Sequence, residues 1–197
     1  MIGIFGGTFD PPHLGHLILA DEGRSSLDLE RVLWVVAGEP PHKQDRPVTE
    51  VPHRLAMVQA AIAGDPAFEV SRADVERPPP HYTTGTLEWL REHGVKSPIA
   101  LLMGSDSLID LPNWHLPEEV IDGCARIGVM RRPGDDFDWT ILDHALPDLR
   151  SKVTFFDAPY IGISGHEVRN RVREGRSYRY LVLPRVADVI EAAGLYR

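Results

Sequence analysis

Residues 1–17, MIGIFGGTFDPPHLGHL, read as a short apolar strand (Met1–Phe5), a glycine turn, and a helix that starts near His13. Gly6 and Gly7 permit positive φ angles and close approach of a ligand, while Pro11 and Pro12 keep the helix from starting earlier. His13 and His16 are three residues apart, so both imidazoles fall on one face of the first helical turn. Free N–H groups and the positive end of the helix dipole make that turn a natural phosphate site, to which the two imidazoles add donors and Thr8 a hydroxyl. The plainer reading is a tight strand-to-helix turn whose histidines are exposed and inert. Glycines, prolines and two spaced imidazoles all within Gly6–His16, directly after a strand, favour the anion site.

Around this turn the composition narrows the choices. A chain of 197 residues can bury one sizeable core, and a single domain spanning 1–197 is expected, with a small helical carboxyl-terminal part over about 164–197. With 21 basic and 29 acidic residues the formal charge is −8, which argues against general nucleic-acid binding and against attachment to an anionic membrane. The single cysteine, Cys124, excludes an intrachain disulfide, and the apolar amino terminus runs straight into the glycine loop without a signal-peptide cleavage region. The cytoplasm is the expected compartment. No apolar run approaches the roughly 20 residues needed to span a bilayer.

After a helix from His13 to Ser26, with Leu14, Leu17, Ile18 and Ala20 expected towards the sheet, Arg31–Val36 reads as a strand buried on both faces. The loop from Ala37 to Pro47 contains PPHK, which sets Lys43 at the carboxyl end of a strand, where open α/β sheets bind ligands; a solvated surface lysine is the alternative. Thr49 is the expected cap of a helix from about Val51 to Ala63, closed by Gly64. Phe68–Ser71 is a short strand, and the prolines up to Pro80 cannot be central sheet. In HYTTGTLEWLREHG, Thr83 or Thr84 is the expected cap of a helix ended by Gly94, and a helix start with two hydroxyls also suits a carboxylate.

Pro98–Met103 is a further buried strand ending in GSDSL, where Gly104 gives access to the strand end and Asp106 and Ser107 are small polar groups beyond it. Trp114, between Pro112 and Pro117, suits either a stacking platform for a flat ring or a place in the core. Ala125–Met130 is a fifth strand running into Arg131 and Arg132, a phosphate-binding pair or a solvated basic corner. A helix over Phe137–Leu146 and a last strand at Val153–Phe156 follow. Strands alternating with helices predict an α/β fold with a doubly wound parallel sheet. Ser164 is the expected cap of a helix carrying Arg169 one turn beyond Gly165 and His166, Gly175 ends it, and Pro184 opens a final helix with Val186, Val189, Ile190 and Ala193 inward.

GGTFDPPHLGH resembles the phosphate loop and HxGH motif of nucleotidyltransferases with a Rossmann-like fold. With PPHK, HYTTGTL, GSDSL, NWH, RRPG, ISGHEVR and LVLPRVADVIEAAGLY, essentially the whole chain is similar to the bacterial nicotinate-mononucleotide adenylyltransferases. The resemblance implies transfer of AMP from ATP to nicotinate mononucleotide, giving deamido-NAD and pyrophosphate, with Mg2+ carried mainly on the phosphates and no metal site of the protein's own. It implies catalytic roles for His13, His16, Lys43 and Arg169. It places ATP against Gly6, Gly7, Thr8, Phe9, His13, His16, Gly104, Asp106, Arg132, Ser164 and Arg169, and the acceptor against Thr83, Thr84, Trp114 and His115. The family usually has ISSTxIR where this chain has Gly165 and His166, and SYT where His81 stands in the serine position. Related transferases acting on nicotinamide mononucleotide or phosphopantetheine, and a catalytically silent nucleotide-binding protein, are the competing expectations, and the sequence leaves an oligomer open.

Overall fold

The computed structural model describes residues 1–38, 48–132 and 138–197. Strands β1 (Ile2–Gly7), β2 (Val32–Val36), β3 (Phe68–Ser71), β4 (Ile99–Gly104), β5 (Arg126–Met130) and β6 (Val153–Phe156) form a sheet in the order β3-β2-β1-β4-β5-β6. All neighbours are parallel. This is the expected doubly wound α/β sheet. Its chain direction across the sheet reverses between β1 and β4, where a crevice opens beyond the strand ends.

The strands read as continuous apolar runs because both faces are covered. Alternate residues serve opposite cores. Phe5, Trp34, Ala100 and Leu102 point to one, and Ile2, Ile4, Leu33, Leu101 and Ile127 to the other. The first core is closed by α1 (Leu14–Ser26), α2 (Val51–Ile62), α9 (Gly165–Arg173) and α10 (Pro184–Ala192). The second is closed by α4 (Thr83–Glu92), α6 (Pro117–Gly123), α7 (Trp139–Ala145) and α8 (Leu149–Lys152). Two short helices, α3 (Ala73–Glu76) and α5 (Ser105–Asp110), and a 3₁₀ turn at Leu111–Asn113 sit beside the strand ends. The carboxyl-terminal part packs into the first core through Val168, Val182, Val186, Ala187 and Ile190, whereas Ala193, expected inward, is exposed. No helix of the described residues is long and apolar enough to cross a membrane.

Several local expectations are corrected. Towards the sheet α1 turns Leu19, Ala20 and Gly23; Leu14 and Ile18 are only half-buried. Thr49 does not cap α2, since Glu50 occupies that position, and Tyr82 rather than a threonine precedes α4. Thr83 and Thr84 are therefore inside the first turn. Gly104 ends β4 as expected, while the rest of GSDSL, from Ser105, starts the helix α5. Ser164 does cap α9, accepting from the N–H of Glu167 at 3.2 Å.

In the first turn the positive φ belongs to Phe9, at +48°, and to neither Gly6 nor Gly7. Gly7 is needed for space, because a Cβ there would lie 2.8 Å from the Phe9 ring. That ring is 1% exposed and wedged at 5.3 Å from Phe5 and 5.1 Å from Trp34. It cannot give way freely. Gly7→Ala is expected to lower stability by about 1–3 kcal/mol, the usual cost of overpacking, as a fall in the urea midpoint at unchanged m.

Candidate active site

The loop from β1 to α1 forms its own scaffold. His13 stands at the cap position of α1, and its backbone N–H donates to Nδ1 of His16 at 3.1 Å. With Nδ1 occupied as an acceptor, neutral His16 carries its proton on Nε2. The two imidazoles stack with centroids 3.7 Å apart and planes 28° off parallel. Gly15 allows this, since a Cβ there would come within 3.2 Å of the His13 ring. His13 is buried, and its Nδ1 has no hydrogen-bond partner among the described residues. Burial pushes its pKa down to about 4, helped by the positive field of Arg132. His13 is thus a neutral imidazole at physiological pH, able to donate from nitrogen without carrying charge.

Beneath the loop lies a residue that sequence reading missed. Arg54 on α2 is 1% exposed, and its guanidinium donates to the carbonyls of Thr8 (3.0 Å), Ala37 (2.6 Å), Gly38 (2.8 Å) and Thr49 (2.7 Å). It joins the ends of two strand-to-helix loops to the start of α2. Burial lowers its pKa, and the charge of Asp10 is the largest influence pulling it back up. The visible signal is an arginine one turn before Val58 and two before Ala61, on the buried stripe of α2. Asp10, also missed, accepts from the Tyr196 hydroxyl at 2.7 Å and from the N–H of Thr49 at 3.3 Å. Its carbonyl accepts from Arg169 Nη1 at 2.5 Å.

Two cavities open on either side of this loop at the carboxyl ends of the strands, and Thr8 lines both. The first, of about 630 Å³, is walled by His13, His16, Arg131, Arg132, Ser164, His166 and Arg169, with Asp10 and Asp106 as its carboxylates. Its cations suit a polyphosphate. The second, of about 900 Å³, is walled by Tyr82, Thr83, Trp114 and His115, with Gly6, Gly7 and Gly104 along the strand ends. Tyr82 stacks on His115 with centroids 4.1 Å apart, a flat aromatic surface beside the half-buried Trp114. Trp114 both packs against the second core and faces this cavity, so the two readings of it are compatible.

Most of the expected residues meet here. Phe9 lines the first cavity, although its ring is held in the core. Asp106 reaches Arg132 at 3.5 Å. Gly6, Gly7 and Gly104 face the second cavity rather than the cationic one, and Thr84 lines neither. Lys43 lies outside the described residues. Gly165 and His81, the departures from the usual motifs, have steric reasons. A Cβ at 165 would meet the Asp10 carbonyl at 2.9 Å, and the ring of His81 fills the space over Gly38. His166 is exposed on the rim and lies 2.9 Å from the Asn170 amide. No group of three or more His, Cys, Asp or Glu able to hold a metal occurs among the described residues.

The family model described as cytidylyltransferase-like matches residues 4–171. A protein of Thermomicrobium roseum named a probable nicotinate-nucleotide adenylyltransferase is 46% identical over 196 residues, covering 100% of this chain and 91% of the relative. A Roseiflexus protein of the same name is 43% identical, with 100% and 98% covered. Among solved structures, Plasmodium falciparum nicotinic acid mononucleotide adenylyltransferase complexed with NaAD superposes with a TM-score of 0.78 at 21% identity. That match covers 99% of this chain and 96% of that one.

Removing Arg54 leaves carbonyls buried without a donor, at about 1–3 kcal/mol for each. Arg54→Met is expected to cost on the order of 3 kcal/mol or more by denaturant unfolding, and Arg54→Lys to recover only part, because an ammonium cannot fork between carbonyls. For His13 the unfolded chain binds more protons between pH 6.5 and about 4, so stability rises with pH across that window and is lost on acidification through it. His13→Asn is expected to remove that share, on the order of 2 kcal/mol, from the wild-type stability-against-pH curve.

Proposed function

The chain belongs to the cytidylyltransferase-like family and, within it, to the nicotinate-nucleotide adenylyltransferases, and on that premise we propose how its site joins two nucleotides. The reaction is adenylyl transfer from ATP to nicotinate mononucleotide, giving deamido-NAD and pyrophosphate in NAD biosynthesis. One observation carries the assignment of its parts: the histidine loop stands at the junction of a cation-lined cavity and an aromatic one, with Thr8 common to both. ATP occupies the first, with its α-phosphorus at the loop. The mononucleotide occupies the second, ring against Trp114 and Tyr82, phosphate towards the same point.

A phosphate oxygen of the acceptor attacks the α-phosphorus, a new P–O bond forms, and the bond to the bridging oxygen of the leaving pyrophosphate breaks. The attacking phosphate is already ionised, so no general base is needed. Catalysis rests on positioning and on donors aimed at the oxygens where charge concentrates. His16, with its proton on Nε2, donates to the α-phosphate, and buried neutral His13 and the amino terminus of α1 add donors. Arg169 and Arg132 balance the leaving phosphates, and Lys43 joins them by the resemblance of its motif. Magnesium arrives with ATP as part of the substrate and supplies further charge on its phosphates.

The amino terminus of α4 at Thr83 offers N–H donors to the nicotinate carboxylate. A charge-assisted contact of about 1.5–3 kcal/mol corresponds to one to two decades in kcat/KM in favour of the acid over the amide. Pyrophosphate release over a panel of acceptors tests this, and equal efficiency with both pyridine mononucleotides would contradict it. In the same assay His16→Ala is expected to lower kcat by roughly 10²-fold with little change in the ATP KM. A near-normal kcat would remove His16 from the mechanism.

A further inference from the structure

The acceptor cavity has two acidic residues in its wall, Asp110 exposed at the surface and Asp74 buried. Asp74, at the centre of α3, is 7% exposed and lines the aromatic cavity with Tyr82, Thr83 and Thr86. A carboxylate there opposes the binding of any anionic ring. It is not left to act alone. Arg77 Nη2 donates to Asp74 Oδ1 at 2.9 Å, and the Thr86 hydroxyl donates to the same oxygen at 2.6 Å. Nη2 also reaches Thr86 Oγ1 at 3.3 Å and the Tyr82 carbonyl at 3.4 Å, and Nε donates to the carbonyl of Ala73 at 3.2 Å.

The same guanidinium lies against Gly85, where a Cβ would collide with its Nη1. Arg77 therefore braces the first turn of α4 from below, through Tyr82, Gly85 and Thr86. The carbonyl of Arg77 is in turn 3.1 Å from Nε2 of His81, the residue that departs from the usual motif. The Asp74 side chain is 9% exposed and that of Arg77 16%, so solvent screens the pair weakly.

We propose that the Asp74–Arg77 pair determines the choice of acceptor: Arg77 positions the amino terminus of α4 and cancels the charge of Asp74, so that the cavity meets an anionic ring substituent with N–H dipoles. This rests on the placement of the mononucleotide given above. Arg77 is a positioning residue, acting through α4 and through Asp74. A purely structural brace would affect both pyridine mononucleotides alike. A charge-balancing pair affects the anionic one selectively, with opposite signs for its two members.

The test compares kcat/KM for nicotinate and nicotinamide mononucleotides at saturating Mg-ATP in wild type, Arg77→Met, Arg77→Lys and Asp74→Asn. Arg77→Met leaves a bare carboxylate in the wall and is expected to lower the acid-over-amide preference about tenfold, through the KM of the acid. Asp74→Asn leaves the cation and is expected to raise that preference about tenfold. Arg77→Lys keeps the charge and the wild-type preference while losing activity with both acceptors. If Arg77→Met does not fold, the other two variants carry the comparison. A wild-type chain that joins ATP to neither mononucleotide overturns the reading of the site. An active wild type in which the charge-changing variants Arg77→Met and Asp74→Asn alter both acceptors by the same factor overturns the role of the pair alone.

Discussion

The site depends on one buried guanidinium. A loop that presents its N–H groups to phosphate must turn its carbonyls inward, and inward-facing carbonyls in a dry interior need donors. Arg54 supplies them from a fixed fork, reaching Thr8, Ala37, Gly38 and Thr49. Its own desolvation is offset by those bonds and by the nearby charge of Asp10. A lysine presents one nitrogen where four carbonyls converge, and an apolar residue presents none. The loop over the sheet therefore takes its shape from the helix behind it.

Asp10 extends the same constraint to the far end of the chain. Its carboxylate takes the hydroxyl of Tyr196 and its carbonyl takes Arg169. Burial and the neighbouring carboxylate raise the pKa of Tyr196, so the phenol stays a donor. The carboxyl-terminal helices are thereby tied to the loop they help to wall, and Gly165 leaves room for α9 to rest on the Asp10 carbonyl. The cationic cavity is completed by this closure.

The division into a cationic and an aromatic cavity follows from where the sheet reverses. Strands β1 and β4 send their following segments to opposite faces, and the gap between them is bordered by helix starts on both sides. Buried groups on each side are kept neutral or neutralised. His13 holds its charge off by burial, and Asp74 is paired with Arg77. In the function proposed above, selectivity for anions comes from oriented dipoles and arginines at fixed places.

What the sequence by itself determined was whatever depends on neighbours within a few residues: the six strands, to within one or two residues of their ends, the parallel order implied by their alternation with helices, the histidine turn, and the caps at Ser164, Gly94 and Gly175. It misassigned Thr49, Thr83 and Thr84 as caps because a hydroxyl caps only when tertiary packing leaves it facing the first free N–H groups. It read Gly6 and Gly7 as permitting positive φ, whereas the residue that adopts it is Phe9, whose ring lies in the aromatic core. The supporting shell was not legible. Arg54 pairs with Thr8 across 46 positions, Arg169 with Asp10 across 159 and Tyr196 with Asp10 across 186. No local periodicity or spacing encodes such pairs, because they exist only once the sheet has brought its loops and the last helix to the same edge.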